Sequence, residues 1–236
     1  KRCEDTGYIG STKCECFQKL LREAAFDALG ASHPQDCRFS NFSLDYYSPQ
    51  PLANGVVPRQ RMAQVKNFCS DYARDFFVER HSFSKAQSSP SLLFLGNTGL
   101  GKTHLSLAIA GQVINKGYGV IYGSAQNLLA KLEKEKFSFN NTEDQPQSYL
   151  SLVLECDLLI LDDLGTEFLS QFVTAMLYNI INTRLLEGRP TIISTNLSFQ
   201  EISKRYTDRL TSRLFGGYIH FEFLGRDIRI QSKIMG

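Results

Sequence analysis

No apolar run in this 236-residue sequence approaches the ~18 residues that a membrane-spanning helix requires, so no membrane segment is expected. Charge of either sign is not in surplus. Lys and Arg number 26 against 24 Asp and Glu, a formal +2. That excludes a protein that coats nucleic acid by charge alone, and any DNA contact must be local. Cysteine is too sparse for a secreted disulfide scaffold: the six are Cys3, Cys14, Cys16, Cys37, Cys69 and Cys156. This usage predicts a reducing compartment and a cytoplasmic protein. No signal-peptide pattern is visible, although the chain opens on Lys1 rather than Met, and there are no internal repeats.

What is present is the composition of a soluble chain with a sizeable core, 42% hydrophobic and 21% charged. The length suits one large α/β domain with a small appendage. Residues 1–30 carry cysteine and charge but too little apolar material for a core, with a short helix expected over 21–29 and ended by Gly30. Residues 31–57 are rich in Ser, Pro, Asn, Tyr and Phe without a sustained period, which predicts a linker draped over the domain that follows, 58–236. Pro58 suits the first position of a helix in which Met62, Val65, Phe68, Cys69, Tyr72 and Phe76 recur three and four apart. Strands are expected at 92–95, 118–122, 157–162, 191–195 and 218–223. Helices are expected at 102–116, 125–136, 168–187 and 207–215, with a capping-box start at Ser198 and Glu201. This alternation predicts a parallel sheet with helices on both faces.

The sharpest motif is Gly96-Asn97-Thr98-Gly99-Leu100-Gly101-Lys102-Thr103, a P-loop that follows a strand and opens a helix. Its glycines let the backbone wrap phosphates without a Cβ in the way, and its N–H groups with the helix N-terminus face the anion. Lys102 is expected to reach the β- and γ-phosphates of ATP, and the Thr103 hydroxyl to ligate Mg²⁺. The acidic half of such a site is Asp162-Asp163, which closes the apolar run Leu158-Leu159-Ile160-Leu161. Carboxylates at the C-terminal end of a buried strand sit where open α/β sheets bind ligands. Asp162 is expected to hold Mg²⁺ and Asp163 to polarise the attacking water, with Glu167 the next candidate. Asn196, after the buried Thr191–Thr195 run, could orient that water; on its own it would read as the start of a turn.

Arg209 and Arg213 lie four apart on one helix face, and Arg226 and Arg229 flank Asp227 after the last strand. Guanidinium groups offered to a neighbour's γ-phosphate couple hydrolysis to assembly. Taken singly, each of these arginines reads first as a solvated partner of a nearby carboxylate.

Together these residues carry a resemblance. Lys102-Thr103-His104-Leu105, the run 158–167, Ser194-Thr195-Asn196 and Asp208-Arg209-Leu210-Thr211-Ser212-Arg213 resemble the DnaC/DnaI-type bacterial helicase loaders, over roughly residues 40–236. These are AAA+ ATPases, and the IstB-type ATPases that assist transposases are close kin. The resemblance implies a P-loop AAA+ fold with a parallel five-stranded sheet in the order 5-1-4-3-2. It also implies a replicative helicase and single-stranded DNA as partners, and self-association through ATP sites. It makes Asn196 the sensor on the fourth strand and Arg213 the arginine finger, with Arg209 one turn before it. It brings His104 into the nucleotide site together with Arg229, or Arg226, as the second sensor arginine. A helical insertion facing DNA makes Lys131, Lys134 and Lys136 candidates. Cys3, Cys14 and Cys16 resemble the zinc-binding head of DnaI-type loaders. Tetrahedral Zn²⁺ wants four ligands, the fourth expected just before Lys1 or at His33 or Cys37, and free thiols are the alternative.

Overall fold

The computed structural model describes residues 3, 6–9, 12–16, 20, 24, 36–79, 88–137 and 148–235. The helix expected over 21–29 falls, Ala24 apart, outside the described residues. Two short antiparallel strands, β1 (Tyr8–Ile9) and β2 (Thr12–Lys13), lie near the N-terminus. The helix α1 (Pro58–Asp75) opens on its proline and buries Met62, Val65, Cys69 and Tyr72 along one side.

Strands and helices then alternate: β3 (Ser91–Leu95), α2 (Lys102–Asn115), β4 (Val120–Ser124), α3 (Ala125–Phe137), α4 (Tyr149–Glu155) and β5 (Leu158–Leu164). The second half runs α5 (Gln171–Leu186), β6 (Thr191–Thr195), α6 (Phe199–Arg205), α7 (Asp208–Gly217), β7 (Tyr218–Glu222) and α8 (Ile228–Met235). The strand expected at 118–122 lies at Val120–Ser124, and two further boundaries depart from expectation for identifiable reasons. The helix expected from 168 begins at Gln171, because the Ser170 hydroxyl accepts from the Val173 N–H and caps it. The strand expected to stop at 162 continues to Leu164 past an irregularity at Asp163.

The sheet is parallel throughout, in the order β4-β5-β6-β3-β7, which is the expected AAA+ order read from the other edge. Parallel strands need crossover helices, and these cover both faces. Alternation along each strand divides the core. Leu92, Phe94, Leu158 and Ile160 face α1 and α2, while Leu93, Leu95, Leu159 and Leu161 face α3, α5 and α7.

Two anchors fix the elements that matter for the site. Arg184, fully buried on α5, donates through Nη1 to the carbonyls of Val153, Leu154 and Cys156 at 2.9–3.0 Å, and through Nε to Thr191 Oγ1 at 2.9 Å. It thereby satisfies carbonyls at the end of α4 and ties them to the start of β6. The stretch 36–57, expected as a linker, packs on the domain. Phe42 and Tyr47 enter the core, and Tyr47 Oη donates to Leu100 O at 2.9 Å.

Candidate functional site

The C-terminal ends of the strands deliver Leu95, Leu164 and Thr195 to one edge of the sheet, and the polar residues just beyond them meet there. Gly101 precedes α2 with φ of 84°, a left-handed conformation, and a Cβ on it would come within 2.7 Å of the Phe42 ring. Only glycine lets the loop turn there beneath the N-terminal stretch. His104, one turn into α2, donates from Nε2 to Arg38 O at 2.9 Å and packs its ring on Phe42, so it faces the same stretch.

Lys102 is buried and its Nζ donates to Gly96 O (2.5 Å), Asn97 O (2.8 Å) and Asn196 Oδ1 (2.7 Å). Burial pulls its pKa down to about 8, with Asp163 and Asp162 opposing and Arg229 adding to the shift. Thr103 Oγ1 donates to Asp162 Oδ2 at 2.8 Å. The same oxygen accepts from Tyr122 Oη at 2.9 Å, and Asp162 Oδ1 accepts from Ser194 Oγ. Asp163 stands beside them, its Oδ1 3.5 Å from Asn196 Nδ2. Burial first, and then the Asp162 charge, push the Asp163 carboxyl above the ordinary carboxylate range.

Lys102, Thr103, Asp163 and Asn196 line a cavity of about 310 Å³ that runs from Asn41, Phe42 and Tyr46 across Thr98–His104 to Arg229, with Asp162 behind Thr103. A larger cleft of about 830 Å³ opens on the other side of the loop, past Gly96, Asn97 and Arg226, but it contains neither Lys102 nor Asp163. The chemistry therefore points to the smaller one. Its donor set fits a metal-bound nucleotide: a lysine ammonium and loop N–H groups suit phosphate, and a threonine hydroxyl beside a carboxylate suits Mg²⁺.

The structure brings Gly96 to His104, Asp162, Asp163, Asn196 and Arg229 together. Arg229 reaches the cavity from the first turn of α8, paired with Asp227 at 3.2 Å. It does not bring Arg209 or Arg213 there. Both are exposed on α7, and among the described residues neither forms an ion pair; Glu201 is instead engaged in the capping box of Ser198. Glu167, the alternative candidate for the base, does not line this cavity. It is buried, accepting from Tyr206 Oη at 2.5 Å and from the Gly165 N–H at 2.8 Å, with Arg205 at 3.5 Å. Lys131 and Lys136 on α3 lie over the rings of Tyr149 (3.7 Å) and Phe172 (4.9 Å). Tyr122 has no local signature as an isolated tyrosine within a strand, and Ser194, although part of the Ser194-Thr195-Asn196 motif, shows its bond to Asp162 only in the structure.

At the N-terminus, the sulfurs of Cys3, Cys14 and Cys16 lie within 4.8 Å of one another, close enough to occupy three corners of a tetrahedral thiolate site. Hydrogen bonding to Cys3 and Cys14 raises the Cys16 thiol to about 11, a crowding of like groups that a divalent cation would relieve. Cys37 is not in this group, and His33 lies outside the described residues.

Comparison with known proteins agrees with this geometry. The replicative helicase loader DnaC of Escherichia coli (strain K12) is 27% identical over 124 residues, covering 52% of this chain and 49% of the loader. The ATP-binding protein of insertion sequence IS5376 from Geobacillus stearothermophilus is 28% identical over 148 residues, 61% of this chain and 57% of that one. The chain thus spans about half the length of the curated relatives it matches. The crystal structure of a DnaC helicase loader superposes with a TM-score of 0.57 at 23% identity, covering 78% of this chain and 97% of that one, a likeness of fold. Residues 67–222, most of the chain, match the family of IstB-like ATP binding proteins, and the chain belongs to that family.

Proposed function

We propose that this chain is an AAA+ ATPase that loads a replicative DNA helicase onto single-stranded DNA during replication. The observation that carries the proposal is the meeting of Lys102, Thr103, Asp163 and Asn196 in one cavity, with Asp162 bonded to Thr103, while Arg209 and Arg213 stand exposed on α7 away from it. Gly96 to Lys102 cradle the phosphates of ATP, with Asn41, Phe42 and Tyr46 beside them. Thr103 and Asp162 would hold Mg²⁺, which neutralises the phosphate charge that builds up on cleavage. Asp163 accepts the proton of the attacking water, and Asn196, between Lys102 and Asp163, orients that water. Arg229 adds positive charge from the same subunit. Arg213 of one copy completes the site of the next, so that nucleotide state governs self-association, helicase release and grip on DNA, where the Lys131, Lys134 and Lys136 face is the candidate contact. The cysteine head, zinc-bound, contacts the helicase, and the protein works in the cytoplasm. Among the described residues no helix is long and apolar enough to cross a membrane.

The likeness to an insertion-sequence ATP-binding protein favours a second reading, an ATPase that assists a DNA transposase on duplex DNA. One assay separates them. Purified protein is mixed with ATP, single-stranded DNA and the host's replicative helicase, and helicase delivered to DNA is counted. A loader delivers helicase with ATP and fails with Asp163→Asn. No delivery, together with stimulation of a transposase on duplex DNA, would overturn the loader reading.

A further inference from the structure

We infer that Ser194 is the positioning residue that allows two consecutive carboxylates to serve one site, Asp163 lining the cavity and Asp162 bonded to Thr103; the inference rests on the reading of that cavity as an ATP site. Side chains along a strand point alternately to opposite faces. A regular β5 would therefore send Asp162 and Asp163 apart, and only one could reach Lys102 and Thr103. The backbone breaks that alternation at Asp163, where φ is 53°, the sole positive φ of a non-glycine among the described residues. The pairing of β5 with β6 shifts register across the same point, between Leu161 and Leu164.

A kink of this kind takes a buried N–H out of the strand ladder, and it persists only where something else accepts that N–H. The acceptor is Ser194 Oγ, 3.0 Å from Asp163 N. Ser194 is fully buried on β6, in register with Phe94 of β3. Its hydroxyl proton goes to Asp162 Oδ1. One hydroxyl thus uses a lone pair to hold the turned backbone of Asp163 and its proton to fix the carboxylate of Asp162. The remaining contacts complete the lock. Asp162 Oδ2 is occupied by Thr103 and Tyr122, and Asp163 O accepts from Thr166 N at 3.3 Å and Thr166 Oγ1 at 2.9 Å. Ser194 touches neither nucleotide nor water in this scheme; it acts through the two aspartates.

The test is Ser194→Ala, with Ser194→Thr, which keeps the hydroxyl, as the conservative control. Three measurements are made: a crystal structure of the alanine variant, Mn²⁺ binding with ADP followed by electron paramagnetic resonance, and steady-state ATP hydrolysis. In the alanine variant Asp163 should leave the left-handed region and its carboxylate should withdraw from Asn196. Mn²⁺ affinity should fall about tenfold and kcat by about a hundredfold, the range found when groups that orient metal ligands are removed. Metal-free ADP affinity should stay within about twofold, because Lys102 and the loop are untouched. Ser194→Thr should recover most of both losses. An alanine variant with Asp163 unmoved, and with Mn²⁺ affinity and kcat at the parent level, would overturn the assignment. Should the parent protein bind no nucleotide, the ATP reading falls; the crystal structure then decides for or against Ser194 by the conformation of Asp163 alone.

Discussion

Lys102 Nζ and Asn196 Oδ1 lie 2.7 Å apart although the residues are 94 positions apart in the chain. Adjacent parallel strands explain the meeting: Leu95 pairs with Thr195, so the segments leaving β3 and β6 emerge side by side. Burial of the ammonium pulls the pKa of Lys102 down to about 8. A phosphate favours the charged lysine, so its binding must pay for protonation once the pH exceeds that value. ATP affinity should weaken as pH rises through about 8, by up to about tenfold per unit, since one proton is linked to binding. Lys102→Arg, which stays charged, should flatten the profile. Lys102→Ala should lose tight binding while thermal unfolding changes little, because the amine serves loop carbonyls and no apolar core. Calorimetric titration of ATP between pH 7 and pH 9.5 checks all three; unchanged affinity in the alanine variant would sink the P-loop assignment.

Asp163→Asn should retain ATP with Mg²⁺ and stop hydrolysis, by roughly 10²- to 10⁴-fold, because an amide cannot accept a proton. Asparagine tolerates the left-handed backbone at this position, so the turn survives. Since the carboxyl is held above its ordinary range, hydrolysis by the parent should fall on the acid side at a higher pH than an exposed aspartate would give. Glu167→Gln should behave differently. It weakens a buried carboxylate's bonds to Tyr206 and Gly165 and should cost about 1–3 kcal/mol of stability while leaving the chemistry largely in place. Phosphate release and denaturant unfolding, measured on both variants, distinguish the two roles. Full turnover by Asp163→Asn would mean that the base lies elsewhere.

The parts of the site that were legible in the sequence are those whose chemistry is packed into contiguous residues. Gly96 to Thr103 and Leu158 to Asp163 each carry glycine spacing or apolar burial next to the reacting groups, so a short window suffices. What stayed hidden depends on contacts between distant segments. Tyr47 reaches Leu100 across 53 positions, and nothing in the aperiodic stretch around it signals that it is anchored. Tyr122 joins Asp162 only because β4 lies beside β5, in register from Val120 and Leu158 onward. The strand order, for its part, came from the family resemblance; alternation of strands and helices implies a parallel sheet but does not order it.

The cluster of Cys3, Cys14 and Cys16 predicts metal binding with a spectroscopic signature. Titration with Co²⁺ should produce the thiolate-to-metal absorption of a tetrahedral site, displaced by Zn²⁺ at one equivalent per chain. Cys14→Ser should weaken the band, whereas Cys69→Ser should leave it alone, since Cys69 is buried against α2 and remote in sequence. No thiolate band on titration would make these residues ordinary thiols.

Arg213 separates a cooperative ATPase from one that works alone. It is exposed on α7, has no ion-pair partner among the described residues, and stands apart from the cavity that holds Lys102 and Asp163. If it acts on a neighbouring copy, Arg213→Ala should leave ATP binding by an isolated subunit almost intact. Hydrolysis and assembly should fall together, because the missing guanidinium stabilises charge at the neighbour's γ-phosphate. Mixing Arg213→Ala with Lys102→Ala should restore part of the activity, since one mixed interface pairs an intact P-loop with an intact arginine. An arginine that is merely solvated predicts none of this: an exposed charge of that kind is worth about 0–1 kcal/mol, and its removal should leave turnover alone. Normal hydrolysis by Arg213→Ala, with no gain on mixing, would show that the finger lies elsewhere, and Arg209, one turn earlier on the same exposed face, would be the next residue to replace.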